Sequence, residues 1–270
     1  MKSRLVFAAV VLGLALASAS QGAYVIDGNL SDWGVTPHSD WVPDSTTASF
    51  VEADDINTYG ASFYSELYDF EAMYFDFDAT NFYVAIVGSY PISLEWGDLG
   101  FDLNGDFTIG AKGITSGLEY AVQIGSAVSS AGVYTTNVLL NPAWSDCYNP
   151  QNHPHRASGG TVLGSATLAV ETYFDDETGQ TYMGQLDDNT TVVEIGFARS
   201  ILPEDVFLQL QEEGGVISLH ITQACGNDAL NLTGAIPVPA PAALLLAGFG
   251  VGIVGSLRRV FDLHGTRTRA

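Results

Sequence analysis

Ala72-Met73-Tyr74-Phe75-Asp76-Phe77-Asp78, then Ala79-Thr80-Asn81, then Phe82-Tyr83-Val84-Ala85-Ile86-Val87, is the stretch that decides the fold. Two runs rich in aromatic and β-branched residues, split by a short polar turn, read as a β-hairpin. The same signature recurs outward along the chain. Residues 118–124, 132–140, 161–174, 181–186, 191–197 and 216–222 are runs of Val, Ile, Thr, Tyr and Phe bounded by Gly, Asn, Asp or Pro, so each predicts a strand. Asp175-Asp176-Glu177-Thr178-Gly179 reads as a hairpin loop closed by glycine. Helix is scarce. Ser200 to Gln211 is the one good soluble candidate, with Pro203 suited to a first turn and Glu204 and Asp205 to the positive end of the dipole. Many short strands with one short helix predict an all-β chain, a two-sheet antiparallel β-sandwich of jelly-roll type.

Both ends differ from this core. Residues 1–19 have a basic start at Lys2 and Arg4, an apolar run from Leu5 to Ala17 and small residues at Ala17-Ser18-Ala19. That order is a secretory signal peptide, with the Sec translocon and signal peptidase as implied partners. The apolar run is a dozen or so residues, short of the roughly 20 that a membrane span needs. At the other end, residues 237–270 begin with prolines at 237, 239 and 241, an extended spacer. An uncharged run over 242–257 follows, and then a basic tail, 258–270, opening with Arg258 and Arg259. An apolar stretch closed by arginines reads as a transmembrane helix with its tail in the cytoplasm. Residues 20–236 are left as one β-sandwich domain by length.

Of 31 Asp and Glu, only Asp262 falls outside the core, and of nine Lys and Arg only Lys112, Arg156 and Arg199 fall inside it. The core thus sets 30 acids against 3 bases, a formal net charge of −27. Nucleic acid is excluded as a partner by like charge. Such acidity serves solubility outside the cell or attracts divalent cations. Cys147 and Cys225 are the only cysteines; in an oxidising compartment they can pair, and sequence leaves that open. No nucleophile elbow, zinc-protease helix or phosphate-binding glycine loop occurs. The chain therefore reads as non-enzymatic, with glycoside hydrolysis as the minor alternative because carboxylate pairs are abundant.

Val238-Pro239-Ala240-Pro241, the glycine-dotted apolar run and Arg258-Arg259 resemble the PEP-CTERM sorting signal. Two features depart from that family: Ala240 stands where Glu is frequent, and residues 261–270 extend past the basic pair. The resemblance implies an exosortase as partner. It also implies a stay in the inner membrane before cleavage, then transfer to the cell surface or extracellular matrix, in association with exopolysaccharide. Tyr24-Val25-Ile26-Asp27-Gly28-Asn29-Leu30-Ser31-Asp32-Trp33 is similar to the opening strand of family-nine-like carbohydrate-binding modules and DOMON-like sandwiches. The hairpin over 74–84 and Gly100-Phe101-Asp102-Leu103-Asn104-Gly105-Asp106 fit their next elements.

Two sets of residues can carry a function. Asp102, Asn104 and Asp106 alternate along one loop and offer the hard oxygens that calcium prefers, with Asp76 or Asp78 as further ligands. The alternative is a solvated Asn-Gly turn. Trp41 and Trp144 sit in polar stretches and can stack on sugar rings, whereas Trp33 and Trp96 read as core. Together these predict a surface or matrix protein that binds exopolysaccharide, or a structural matrix protein without a discrete ligand.

Overall fold

The computed structural model describes residues 24–36, 41–44, 46–51, 70–89, 96–111, 115–125, 130–146, 154–174, 181–182, 185–186, 189–206, 215–223, 226 and 228–236. The signal peptide, the sorting segment over 237–270 with Val238, Pro239, Ala240, Pro241, Arg258 and Arg259, the loop over 175–179, and Cys147 and Cys225 lie outside them. Among the described residues no helix is long and apolar enough to cross a membrane.

The strands are β1 (Ala48–Val51), β2 (Phe70–Phe77), β3 (Asn81–Gly88), β4 (Leu99–Asp102), β5 (Thr108–Ile109), β6 (Thr115–Ser116), β7 (Tyr120–Val122), β8 (Gly132–Leu140), β9 (Ala143–Ser145), β10 (Arg156–Ser158), β11 (Thr161–Phe174), β12 (Thr181–Tyr182), β13 (Gln185–Leu186), β14 (Asn189–Ala198), β15 (Val216–Thr222) and β16 (Ala229–Ala235). Ten of them form one antiparallel sheet in the order β1-β2-β3-β14-β11-β8-β7-β4-β15-β16. The hairpin read from sequence is β2–β3, paired from Phe77↔Phe82 back to Phe70↔Gly88 with a bulge near Glu71. The pairs β5–β6, β9–β10 and β12–β13 are separate two-stranded additions.

The sheet curls until its two edges nearly meet. Gly234 of β16 comes so near β1 that an added Cβ would stand 2.5 Å from the Cβ of Ala48. The interior is filled from every side: Met73, Phe75, Phe82, Val84, Ile86, Leu99, Phe101, Val122, Leu168, Ile195, Phe197, Leu219 and Leu230 belong to one buried cluster. Phe101 of β4 and Phe197 of β14, far apart in strand order, meet across it with ring centroids 5.6 Å apart.

Three expectations are corrected. The two sheets are one, because hydrogen bonding runs unbroken through the corners; residue alternation reports which face is inside and carries no mark of where pairing stops. The opening stretch from Tyr24 is not a strand but an extended segment leading into a 3-10 helix, Leu30–Trp33, capped by the Asn29 side chain and closed by Gly34 at φ 73°. Its short polar side chains serve the local backbone, as where Asp32 accepts from Val25 N, and such bonds compete with a strand ladder. The helix expected over 200–211 does not begin at Ser200, and its residues 207–211 lie outside the described ones. A 3-10 turn covers Arg199–Ile201 and Leu202 is extended, as a residue before proline must be. Helical residues resume at 204–206.

Two chain segments lie on the outside of the curl. Residues 24–36 cover β2, β3 and β14, where Leu30, Trp33 and Val35 pack with Ala72, Tyr74, Tyr83, Ala85, Val87 and Val192. The β9–β10 region covers β4, β7 and β8, where Trp144 packs with Ala121, Leu139 and Ala157.

Candidate functional site

The second cover is where sequence-predicted residues converge. It is fastened by Asp98, just before β4, whose carboxylate accepts from Ile124 N at 2.7 Å, Gly125 N at 2.9 Å and Ala157 N at 2.9 Å. Ala157 pairs with Trp144 across β10–β9, so Asp98 holds the strand paired with the one that carries the tryptophan. Burial pushes the Asp98 carboxyl up, and the three N–H groups and Arg156 pull it down.

Trp144 is half-buried and lies against the outer face of β4. Its indole N–H donates to Leu118 O at 3.0 Å. The ring is seated over Gly100, where an added Cβ would stand 3.1 Å from Trp144 Cη2 and 2.8 Å from Leu118 Cδ1. A glycine in mid-strand is what lets the indole come that close.

Beside Trp144, Asp102 ends β4 fully buried. It accepts from Asn104 N at 2.7 Å, Gly105 N at 3.0 Å and Phe107 N at 3.1 Å, and Asn104 Oδ1 accepts from Asp106 N. One carboxylate thus organises the whole DLNGD loop, an Asx-type turn. The loop delivers Asp106 against Gly117, whose φ is +81° and whose added Cβ would stand 2.3 Å from Asp106 Oδ1. Only glycine fits both the backbone angle and the space.

Glu119 follows two residues later. Ligand oxygens of Asp102, Asp106 and Glu119 all lie within 4.8 Å of one another. Burial is the main reason that the Glu119 carboxyl rises to about 7; the charges of Asp102 and Asp106 and a side-chain hydrogen bond with Asp106 push the same way. Glu119 Oε2 is buried without a hydrogen-bond partner.

Glu119 and Trp144 line one cleft of about 660 Å³, together with Asn141, Asp146, Thr115 and Ser116. That size is ordinary for a small-molecule or oligosaccharide site. Asn141 adopts φ 49°, which Asn tolerates, and its N–H donates to Glu119 O at 2.6 Å.

The other candidates are placed elsewhere. Asp76 accepts from Tyr24 Oη and Thr47 Oγ1, both at 2.6 Å, and from Phe77 N at 2.7 Å. Asp78 accepts from Thr80, Asn81 and Tyr83, and these donors outweigh its partial burial to hold its carboxyl near 2. Neither belongs to the carboxylate group around Asp102. Trp41 packs against the first cover, with its carbonyl accepting from Tyr74 Oη at 2.8 Å. Trp33 and Trp96 are fully buried, as expected. For a metal, Asp102, Asp106 and Glu119 supply three carboxylates. Calcium takes six to eight oxygens, and both Asp102 oxygens already serve backbone N–H groups.

Glu119, Asn141 and Asp146 were not singled out by sequence. An acid at the head of an otherwise apolar strand, 118–124, was the available signal for Glu119. No family model matches this chain, and neither a curated protein nor a solved structure does.

Proposed function

We propose that this is an exported, non-enzymatic surface or matrix protein that holds a glycan in the cleft beside Trp144. The observation carrying the reading is the cleft itself. A half-exposed indole, fixed by its N–H bond and by Gly100, stands next to hydrogen-bonding groups of Glu119, Asn141 and Asp146. Sugars bind by laying an apolar face on an aromatic ring while polar groups take their hydroxyls, and a few convergent polar groups on an aromatic wall are the usual make-up of such sites. The export half of the reading rests on sequence: residues 1–19 as signal peptide, and Val238 to Arg259 as an exosortase-processed tail whose 242–257 run sits in the membrane until cleavage. We read the curled sheet as flattened into the two faces of a sandwich, with β9 and β10 laid on one of them.

The test is titration calorimetry of the exported chain, residues 20–236, against the producing cell's exopolysaccharide, with and without calcium. Saturable heat that Trp144→Ala abolishes is the expected result. Absence of heat from folded protein removes the glycan reading and leaves a structural matrix role. Heat that persists in Trp144→Ala and vanishes in Trp41→Ala moves the site to the first cover. Hydrolysis of any chromogenic glycoside would overturn the non-enzymatic reading.

A further inference from the structure

We infer that the cleft at Trp144 selects a glycan bearing free amino groups, a glucosamine-type polymer, over neutral and uronic-acid chains. This rests on the glycan reading above and goes beyond it by naming the charge class of the ligand.

The charge of the lining carries the argument. Glu119 and Asp146 face the cleft, and among the described residues no basic residue lines it. Asp106 stands directly behind Glu119. The two described bases of the core are turned to other work. Arg156 donates to Gly125 O, and Arg199 lies over Phe77 and Phe82 while donating to Asp78 O. Lys112 lies outside the described residues. A uronic-acid chain would bring carboxylates against carboxylates, a juxtaposition that rejects a partner at a cost of several kcal/mol.

Glu119 sharpens the choice. Its Oε2 is buried and without a donor, whereas the buried carboxylates of Asp98 and Glu194 each take three N–H groups. A free buried acceptor calls for a donor. A neutral sugar hydroxyl supplies one donor and no charge, whereas an ammonium supplies three donors and cancels the repulsion among the carboxylates. Trp144 favours the same ligand, since an indole face attracts a cation set over it. A bare divalent cation is the weaker fit, because Asp102 spends its oxygens on Asn104, Gly105 and Phe107.

The experiment follows Trp fluorescence and heat as the exported protein is titrated with three hexamers: glucosamine, its N-acetylated form, and galacturonate, each first in EDTA and then in calcium. A core of formal net charge −27, 3 bases against 30 acids, attracts any polycation, so the readout is a difference between variants. The glucosamine hexamer is expected to bind one per protein and about tenfold more tightly than the acetylated one, with the preference shrinking as salt rises. Glu119→Gln should remove most of that preference and Trp144→Ala most of the binding to both. Glu171→Gln, an exposed charge on β11, should change neither. Equal affinity for the two amino-sugar hexamers, with Trp144→Ala still abolishing both, overturns the charge selection and leaves the glycan reading standing. Galacturonate binding that appears only with calcium also overturns it, in favour of a cation bridge. No binding of any hexamer by folded protein overturns the glycan reading itself.

Discussion

The two covers on the outside of the curled sheet use the same pair of residues to opposite ends. Each sets a glutamate near a tryptophan. In the first, Trp33 is fully buried and its indole N–H donates to Glu194 Oε1 at 2.8 Å, while Gly28 N and Asp27 N donate to Oε2. In the second, Trp144 is half-exposed and its N–H goes to a backbone carbonyl, so Glu119 receives no donor from it. The first arrangement is closed: both Glu194 oxygens are matched by N–H donors. The second leaves an acceptor over at the wall of a cleft. A tryptophan beside a carboxylate is therefore a fastening or a binding surface according to where the indole N–H points.

Breaking the first pair should have the largest effect. Trp33→Ala empties a fully buried site and strips a donor from Glu194, so urea unfolding should show a loss of about 3–5 kcal/mol. Trp144→Ala removes a half-buried ring and should cost about 1–2 kcal/mol. Equal losses would mean that Trp144 is as structural as Trp33 and that the contrast is false.

Proton linkage at Glu194 tests the same fastening more finely. Burial outweighs the three donors and raises its carboxyl from 4.5 to about 7. A carboxyl raised on folding contributes stability below its unfolded value and loses it as pH climbs through the folded one. Relative to Glu194→Gln, the wild type should therefore be more stable at about pH 5 than at about pH 8, by up to ~3 kcal/mol. His220, buried and held at about 4, titrates in both proteins and cancels from the difference. The opposite slope would show that the three N–H donors, not burial, govern the group.

Much of this architecture is legible in the residues, and what escapes does so for identifiable reasons. Residues 132–140, 161–174 and 216–222 become β8, β11 and β15 with the bounds read from them, because the runs rich in β-branched residues there begin at or just after a glycine. β16 reads Ala-Leu-Asn-Leu-Thr-Gly-Ala and β1 only Ala-Ser-Phe-Val. Both are edge strands whose small residues serve the close approach of Ala48 and Gly234, and close approach carries no propensity signal. At the site, Trp144 and Asp106 stand out by type and setting. Glu119 does not, since its environment arises only when the Asp102 loop folds back onto Gly117. Asp76 and Asp78 look like further ligands in a line of sequence, but Tyr24 and Thr47 claim Asp76 and the turn's own Thr80, Asn81 and Tyr83 claim Asp78.

Gly100→Ala separates the seat of the indole from the indole itself. The added methyl meets Leu118 and Trp144 at about 3 Å, and both side chains must shift. The cost should be about 1–2 kcal/mol, with a changed Trp emission and weakened glycan binding although no lining residue is altered. Unchanged emission would show that the ring is not seated by that contact.

Glu119→Gln should have the smallest effect on stability, and its sign is the informative part. Most single substitutions destabilise. Here the change removes a charge held against Asp102 and Asp106 and supplies an amide N–H that can donate to Asp106. Because Glu119 is partly exposed and solvent screens it, the gain should be only some tenths of a kcal/mol, seen as a small rise in the urea midpoint at neutral pH. The matching change in the first cover, Glu194→Gln, sets an amide N–H against backbone donors from Asp27 and Gly28 and should destabilise. Opposite signs for one substitution at two glutamates would mark Glu194 as a residue that holds the fold and Glu119 as one kept at the expense of stability, the expected position of a binding residue. A loss at both sites would mean that Glu119 has a structural partner and that the second cover, too, is a fastening.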